Sequence, residues 1–169
     1  MSRYREAMGI SDLPKLEYDV LQVCWHGHLL TAHLKTMPES GKRFCTECGG
    51  KAISECPDCL APIRGAPTRA LVPKISVPNN CHACGVPYPW RQAAIANAIE
   101  VAQAEVDAAQ AEEVEQLVHS IAAKSPRAEA DAMKLGKMLS GISSGAREVV
   151  RKAFIEIAAE AIVRVILRI

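Results

Sequence analysis

The sequence predicts two kinds of structure in series: a small cysteine-rich β region, then an all-α region of about three helices. Three observations predict it. Six of the seven cysteines fall in C-x-x-C pairs, nine of the ten prolines lie before residue 92, and residues 92–124 contain neither Gly nor Pro. Aromatics make up only 4% of the chain, so the core must come from Ala, Val, Ile and Leu, a composition that suits closely packed helices. We therefore expect two regions, 1–91 and 92–169.

Within 1–91, the stretch "VCWHGHLL" comes first and holds Cys24, the cysteine without a C-x-x-C partner, next to His26 and His28. The knuckles follow as Cys45 and Cys48, Cys56 and Cys59, and Cys81 and Cys84. A C-x-x-C turn brings two sulfurs to one ion while its backbone amides face them, and two such turns complete a tetrahedron. The N-terminus, "MSRYREAMGISDLPKLEYDV", has no apolar run behind basic residues. No secretory signal is expected, and a cytoplasmic location follows as the default. In a reducing compartment this cysteine usage fits zinc better than disulfides. The β region thus reads as a metal-stabilised pair of zinc ribbons holding two Zn ions.

Spacing groups the ligands. Twenty-one residues separate Cys59 from Cys81, the interval of a ribbon with a strand hairpin between its knuckles, so Cys56, Cys59, Cys81 and Cys84 form one site. Cys45 and Cys48 then pair with the upstream stretch. In C-x-x-G-H, Gly27 can supply a left-handed turn, as Gly49 and Gly85 do after their knuckles, and His28 can reach back to the ion held by Cys24. His26 is the competing ligand. An interleaved wiring, pair one with three and two with four, also satisfies the spacing. Proline-punctuated apolar runs such as "RALVPKISV" read as short strands and turns.

Within 92–169, Ile95, Ile99, Ala102, Val106, Ala109, Val114, Leu117 and Ile121 recur mostly at steps of three and four, predicting one helix of about nine turns to Ser125. A second helix is expected from Ser125 as N-cap and Pro126 at its first position, ending at Gly141. A third, capped by Ser143 or Ser144, runs to the end. From Glu148, charges recur every four residues at Lys152, Glu156, Glu160, Arg164 and Arg168 and form one narrow stripe along the helix. Most of its surface must therefore be covered, by the other two helices, by a second copy or by lipid. Four charges in the last 17 residues disfavour a membrane span.

Residues 1–91 carry 11 Lys and Arg against 8 Asp and Glu, and residues 92–169 carry 9 against 11. Seven thiolates and one neutral His on two zinc ions would bring the first half to about zero. Neither half then has the strong positive field of a protein that grips phosphate backbones. Sites full of Cys and His leave no position for a catalytic water, and the chain has no P-loop or H-E-x-x-H. The expected function is a non-enzymatic, zinc-binding interaction or scaffold protein. The ribbons, with Arg64, Tyr88 and Trp90 as contacts, form a recognition head, and the helices serve self-association or docking to a partner. The alternatives are nucleic-acid binding through Lys42, Arg43, Lys51, Arg64, Arg69 and Lys74, and membrane association through the last helix.

Across residues 18–92, "RFCTECGGKAISECPDCLAPIRG" and "VPNNCHACGVPYPW" resemble a family of uncharacterised bacterial proteins with paired zinc ribbons and an early C-x-x-G-H. The resemblance implies zinc ligation at Cys24, His28, Cys45, Cys48, Cys56, Cys59, Cys81 and Cys84. It implies no activity.

Overall fold

A computed structural model describes residues 17–68 and 75–168. The run "RALVPKISV" lies largely outside the described residues, as do Arg69 and Lys74. The chain divides into two compact units, Met1–Tyr88 and Pro89–Ile169.

The first unit is built from short strands because its turns recur every few residues. β1 (Tyr18–Val20), β2 (Gln22–Cys24), β3 (Leu29–Thr31), β4 (Ala52–Ile53) and β5 (Arg64–Pro67) form two antiparallel sheets, β1-β5 and β3-β2-β4. The strand expected between the second and third knuckles is β5, but its partner is β1, with Tyr18 opposite Pro67 and Val20 opposite Arg64. Among the described residues, that replaces the expected hairpin with a long-range pairing. Gly65 permits it, since a Cβ there would lie 2.4 Å from the Ala32 carbonyl oxygen and 2.8 Å from the Val20 carbonyl carbon. Leu21, Val23, Ile63, Ala66 and Tyr88 are fully or almost fully buried. Tyr88, expected to be an exposed contact, is only 1% exposed.

Among the described residues of this unit, Asp19 is the buried carboxylate, 3% exposed. It accepts from the amides of Val20 (2.6 Å), Lys35 (2.7 Å) and Thr36 (3.3 Å) and from the Thr36 hydroxyl, which ties the 33–37 turn to β1. Burial alone would raise its pKa. The Thr36 hydroxyl and the three amides outweigh that and hold it below the ordinary 3.8.

The second unit contains five helices rather than three: α1 (Pro89–Gln103), α2 (Ala111–Ala122), α3 (Ala128–Met138), α4 (Ser144–Ile155) and α5 (Glu160–Leu167). The expected nine-turn helix breaks at residues 104–107, and Ala109 is exposed in the short turn that follows. The apolar spacing lengthens to five residues only beyond that break, between Ala109 and Val114. The second helix starts at Ala128. Ser125 instead caps the preceding turn, accepting from the Arg127 amide at 3.2 Å. Ser143 does cap α4, accepting from the Ala146 amide at 3.1 Å.

The expected third helix is cut at 156–159, and Arg91 supplies the reason. Its guanidinium, 5% exposed, donates to the carbonyls of Ala122 (2.8 Å), Glu156 (3.0 Å) and Ile157 (3.0 Å). In an unbroken helix the last two would accept from the amides of residues 160 and 161. One cation thus closes the C-terminal ends of α2 and α4, where the helix dipole is negative. Ala98, Ala102, Val114, Val118, Ile121, Leu135, Val150, Phe154, Val163 and Ile166 fill the core. Gly136 lets α3 approach α5, because a Cβ would stand 2.6 Å from the Ile166 carbonyl oxygen. Among the described residues, no helix is long and apolar enough to cross a membrane.

Candidate metal centres

Each C-x-x-C turn is built by the same bonds. The amides of Cys45, Cys56 and Cys81 donate to the carbonyls of Gly50, Ala61 and Val86, and the amides of Gly49, Leu60 and Gly85 return to Cys45, Cys56 and Cys81. A single bridge closes each loop, at Phe44 and Lys51, Glu55 and Pro62, and Asn80 and Pro87. The residue after the second cysteine takes a left-handed backbone in all three, with φ 69° at Gly49, 78° at Gly85 and 60° at Leu60. The upstream stretch copies this with fewer parts. The Cys24 amide donates to the His28 carbonyl, and Gly27 has φ 92°.

The turns converge as two clusters. Cys24, His28, Cys45 and Cys48 have ligand atoms within 4.8 Å of one another, and so do Cys56, Cys59, Cys81 and Cys84. Pair one thus meets pair two, and pair three meets pair four, without interleaving. Cys24 Sγ lies 3.7 Å from Cys48 Sγ; Cys56–Cys84 and Cys59–Cys81 measure 3.8 and 3.6 Å. His28 Nδ1 is 3.5 Å from Cys24 Sγ and 3.6 Å from Cys45 Sγ. Zinc–sulfur bonds of about 2.3 Å and zinc–nitrogen bonds of about 2.0–2.1 Å give tetrahedral edges of about 3.8 Å for S···S and about 3.6 Å for N···S. The observed spacings are those edges, so the two clusters are compatible with two zinc ions.

The surroundings support the donors. Glu47 N–H points to Cys45 Sγ (3.4 Å), Ala83 N–H to Cys81 Sγ (3.4 Å) and His28 N–H to Cys24 Sγ (3.3 Å). His28 Nε2 sits 3.7 Å from the Glu47 carboxylate, which orients the ring with Nδ1 toward the sulfurs. His26 lies outside the four, with its Nδ1 3.3 Å from Cys48 Sγ. His33 and His119 lie against Asp19 (3.9 Å) and Glu115 (3.8 Å).

Crowded sulfurs split their proton affinities. Burial pushes Cys45 up, but the amides of Glu47 and Cys48 and the His28 ring bring it to about 7. The amides of Cys84 and Ala83 pull Cys81 down against burial to about 6. The Val86 amide favours the Cys84 thiolate, yet burial and the sulfurs of Cys59, Cys81 and Cys56 push it up to about 12. A bound dication would remove this conflict by holding the sulfurs of each cluster as thiolates. Tyr88 is raised by burial and by its hydrogen bond to Cys81.

A model of a family described as an uncharacterised protein conserved in bacteria, DUF2321, matches residues 17–166. The chain belongs to the DUF2321 family. The match covers both clusters and nearly all of the five helices, well past the residues 18–92 that carry the resemblance in the sequence. No curated protein and no solved structure matches this DUF2321 chain. Sequence reasoning missed three residues around its clusters. Tyr88 reads from the sequence as an exposed contact, His26 as a competing ligand with no sign of its place beside Cys48, and Glu47 draws no reading at all. The glutamate between Cys45 and Cys48 was the one available signal, since a ligating imidazole usually has a carboxylate or carbonyl behind it.

Proposed function

We propose that the protein is a non-enzymatic zinc-binding interaction module. Cys24, His28, Cys45 and Cys48 hold one structural ion, Cys56, Cys59, Cys81 and Cys84 hold a second, and the first unit is the recognition head. The observation that carries this reading is the match between donor spacings and the edges of two closed tetrahedra. Four protein donors leave no coordination position for a reacting water, which is the signature of a structural site. The helical unit provides self-association or docking, supported by the exposed Met133, Val149 and Ile155. A reducing cytoplasm is the compartment that keeps seven such thiols available to metal.

Native mass spectrometry tests both parts at once. Two zinc ions per chain in a mass above that of the monomer is the expected result. One ion or none would overturn the metal assignment, and a strictly monomeric mass with no captured partner would overturn the assembly role.

A further inference from the structure

The first cluster's sheet carries an exposed row of side chains that metal binding does not use. Cys24 pairs with Ala52 across β2 and β4, and the next pair out is Trp25 with Lys51, whose carbonyl accepts the Trp25 amide at 2.9 Å. Lys51 in turn bridges to Phe44 on its other side. Directly opposed residues of antiparallel strands share a face, so Phe44, Lys51 and Trp25 form one line across three chain segments. Neighbouring strands are about 4.8 Å apart, which sets the backbone positions of the two aromatics about 10 Å from each other with Lys51 between them. Phe44 is 58% exposed and Trp25 45%, and Lys51 is exposed as well.

Charge narrows the choice of occupant. Lys42 and Arg43, both exposed, lead into Phe44, while the nearby acid, Glu47, is turned to His28. The backbone beneath the row is already paired, with Ala52 N–H on the Arg43 carbonyl, so it does not offer itself for strand addition. Flat rings flanking a cation, in a locally basic surface, match unpaired nucleobases and their phosphates: bases stack on aromatic side chains whatever their identity, and Lys and Arg track the backbone.

The geometry points to single-stranded nucleic acid as the ligand of the Phe44–Lys51–Trp25 row. This rests on the recognition-module reading above and names its ligand class. The near-neutral charge of the whole unit sets the form of the interaction, which is stacking-led, short in footprint and weak at high salt, rather than a broad electrostatic grip on duplex. Arg64 plays no part, because its guanidinium is stacked 5.1 Å over the Tyr18 ring.

The test is fluorescence anisotropy of the zinc-loaded full chain with labelled DNA and RNA oligonucleotides of about 12 nucleotides, and with the matching duplex, at low salt. Single strands should bind in preference to duplex. Trp25→Ala and Phe44→Ala should each weaken binding about tenfold or more, with Trp25→Phe largely restoring it. Lys51→Gln should weaken it and reduce the slope of log affinity on log salt by about 1. Each variant's zinc content is read in parallel. Two ions with no preference for single strands, or unchanged affinity in both aromatic variants, overturns the ligand while leaving the metal reading intact. Loss of metal in the unmodified chain instead breaks the reading beneath it. A photocrosslinker placed at position 44 that captures a protein, in a chain that ignores oligonucleotides, would also overturn the inference.

Discussion

The two units solve the same problem, fixing chain ends that a small core cannot hold, with different chemistry. In the first unit the centre is polar: eight Cys and His side chains gathered in two clusters and the Asp19 carboxylate organise strands of two to four residues, with a handful of buried apolar side chains around them. In the second the centre is an apolar cluster drawn from all five helices, and the polar device is one guanidinium closing two helix ends. The difference teaches where each unit is vulnerable. Short strands with little apolar burial depend on an ion that is present only when bound, whereas the helices depend on packing that is always present.

The largest effect follows from removing metal. A strong chelator should unfold the first unit while the far-UV circular dichroism of the helices persists, because structural zinc supplies about 10–16 kcal/mol to small metal-dependent folds. A chelated protein whose helical signal collapsed together with its strand contacts would erase the contrast between the units.

Arg91→Leu inverts the experiment. It leaves three carbonyls without their donor and should cost the helical unit about 3–5 kcal/mol, read by chemical denaturation, with both zinc ions still bound. Burial lowers the Arg91 pKa, yet arginine remains charged at any accessible pH, so this loss should not depend on pH.

Asp19 sharpens the same contrast through pH. Its folded pKa lies below the ordinary value, so its contribution is fully present above that value and is lost as pH falls through the depressed folded pKa. Asp19→Ala should cost the first unit about 2–4 kcal/mol near neutrality and flatten its acid limb below about pH 4. Hydrogen exchange at the Lys35 and Thr36 amides would report it locally. Leu60→Gly is the smallest change. Leu60 is 69% exposed with φ 60° at a position where the other knuckles use glycine, so relief of left-handed strain, less glycine's entropic cost, should stabilise by about 0–1 kcal/mol.

Much of the first unit was legible because metal chemistry constrains sequence locally. A C-x-x-C with a following glycine states its own turn, and C-x-x-G-H places His28 within reach by the same rule. Partnerships over long separations were not legible. Nothing beside Arg91 announces carbonyls 31 to 66 residues away, and nothing in "PIRG" announces that Gly65 must lie against Val20 and Ala32. The helical region misled for a related reason. Neither break falls at a Gly or Pro: the one at 104–107 lies inside an unbroken apolar spacing, and the one at 156–159 meets a side chain from another helix.

The strand β4 has a consequence for how this chain can change in length. The segment that carries it leaves one cluster at Cys48, pairs with β2 at the edge of the β3-β2-β4 sheet, and enters the other cluster at Cys56, with seven residues between. Because side chains alternate sides with a period of two, inserting a single residue there would rotate every later side chain by half a turn and aim the Cys56 sulfur away from its partners. Adding two would restore the parity and leave only a longer span to absorb. The interval therefore acts as a counting device, tolerant of even changes and closed to odd ones.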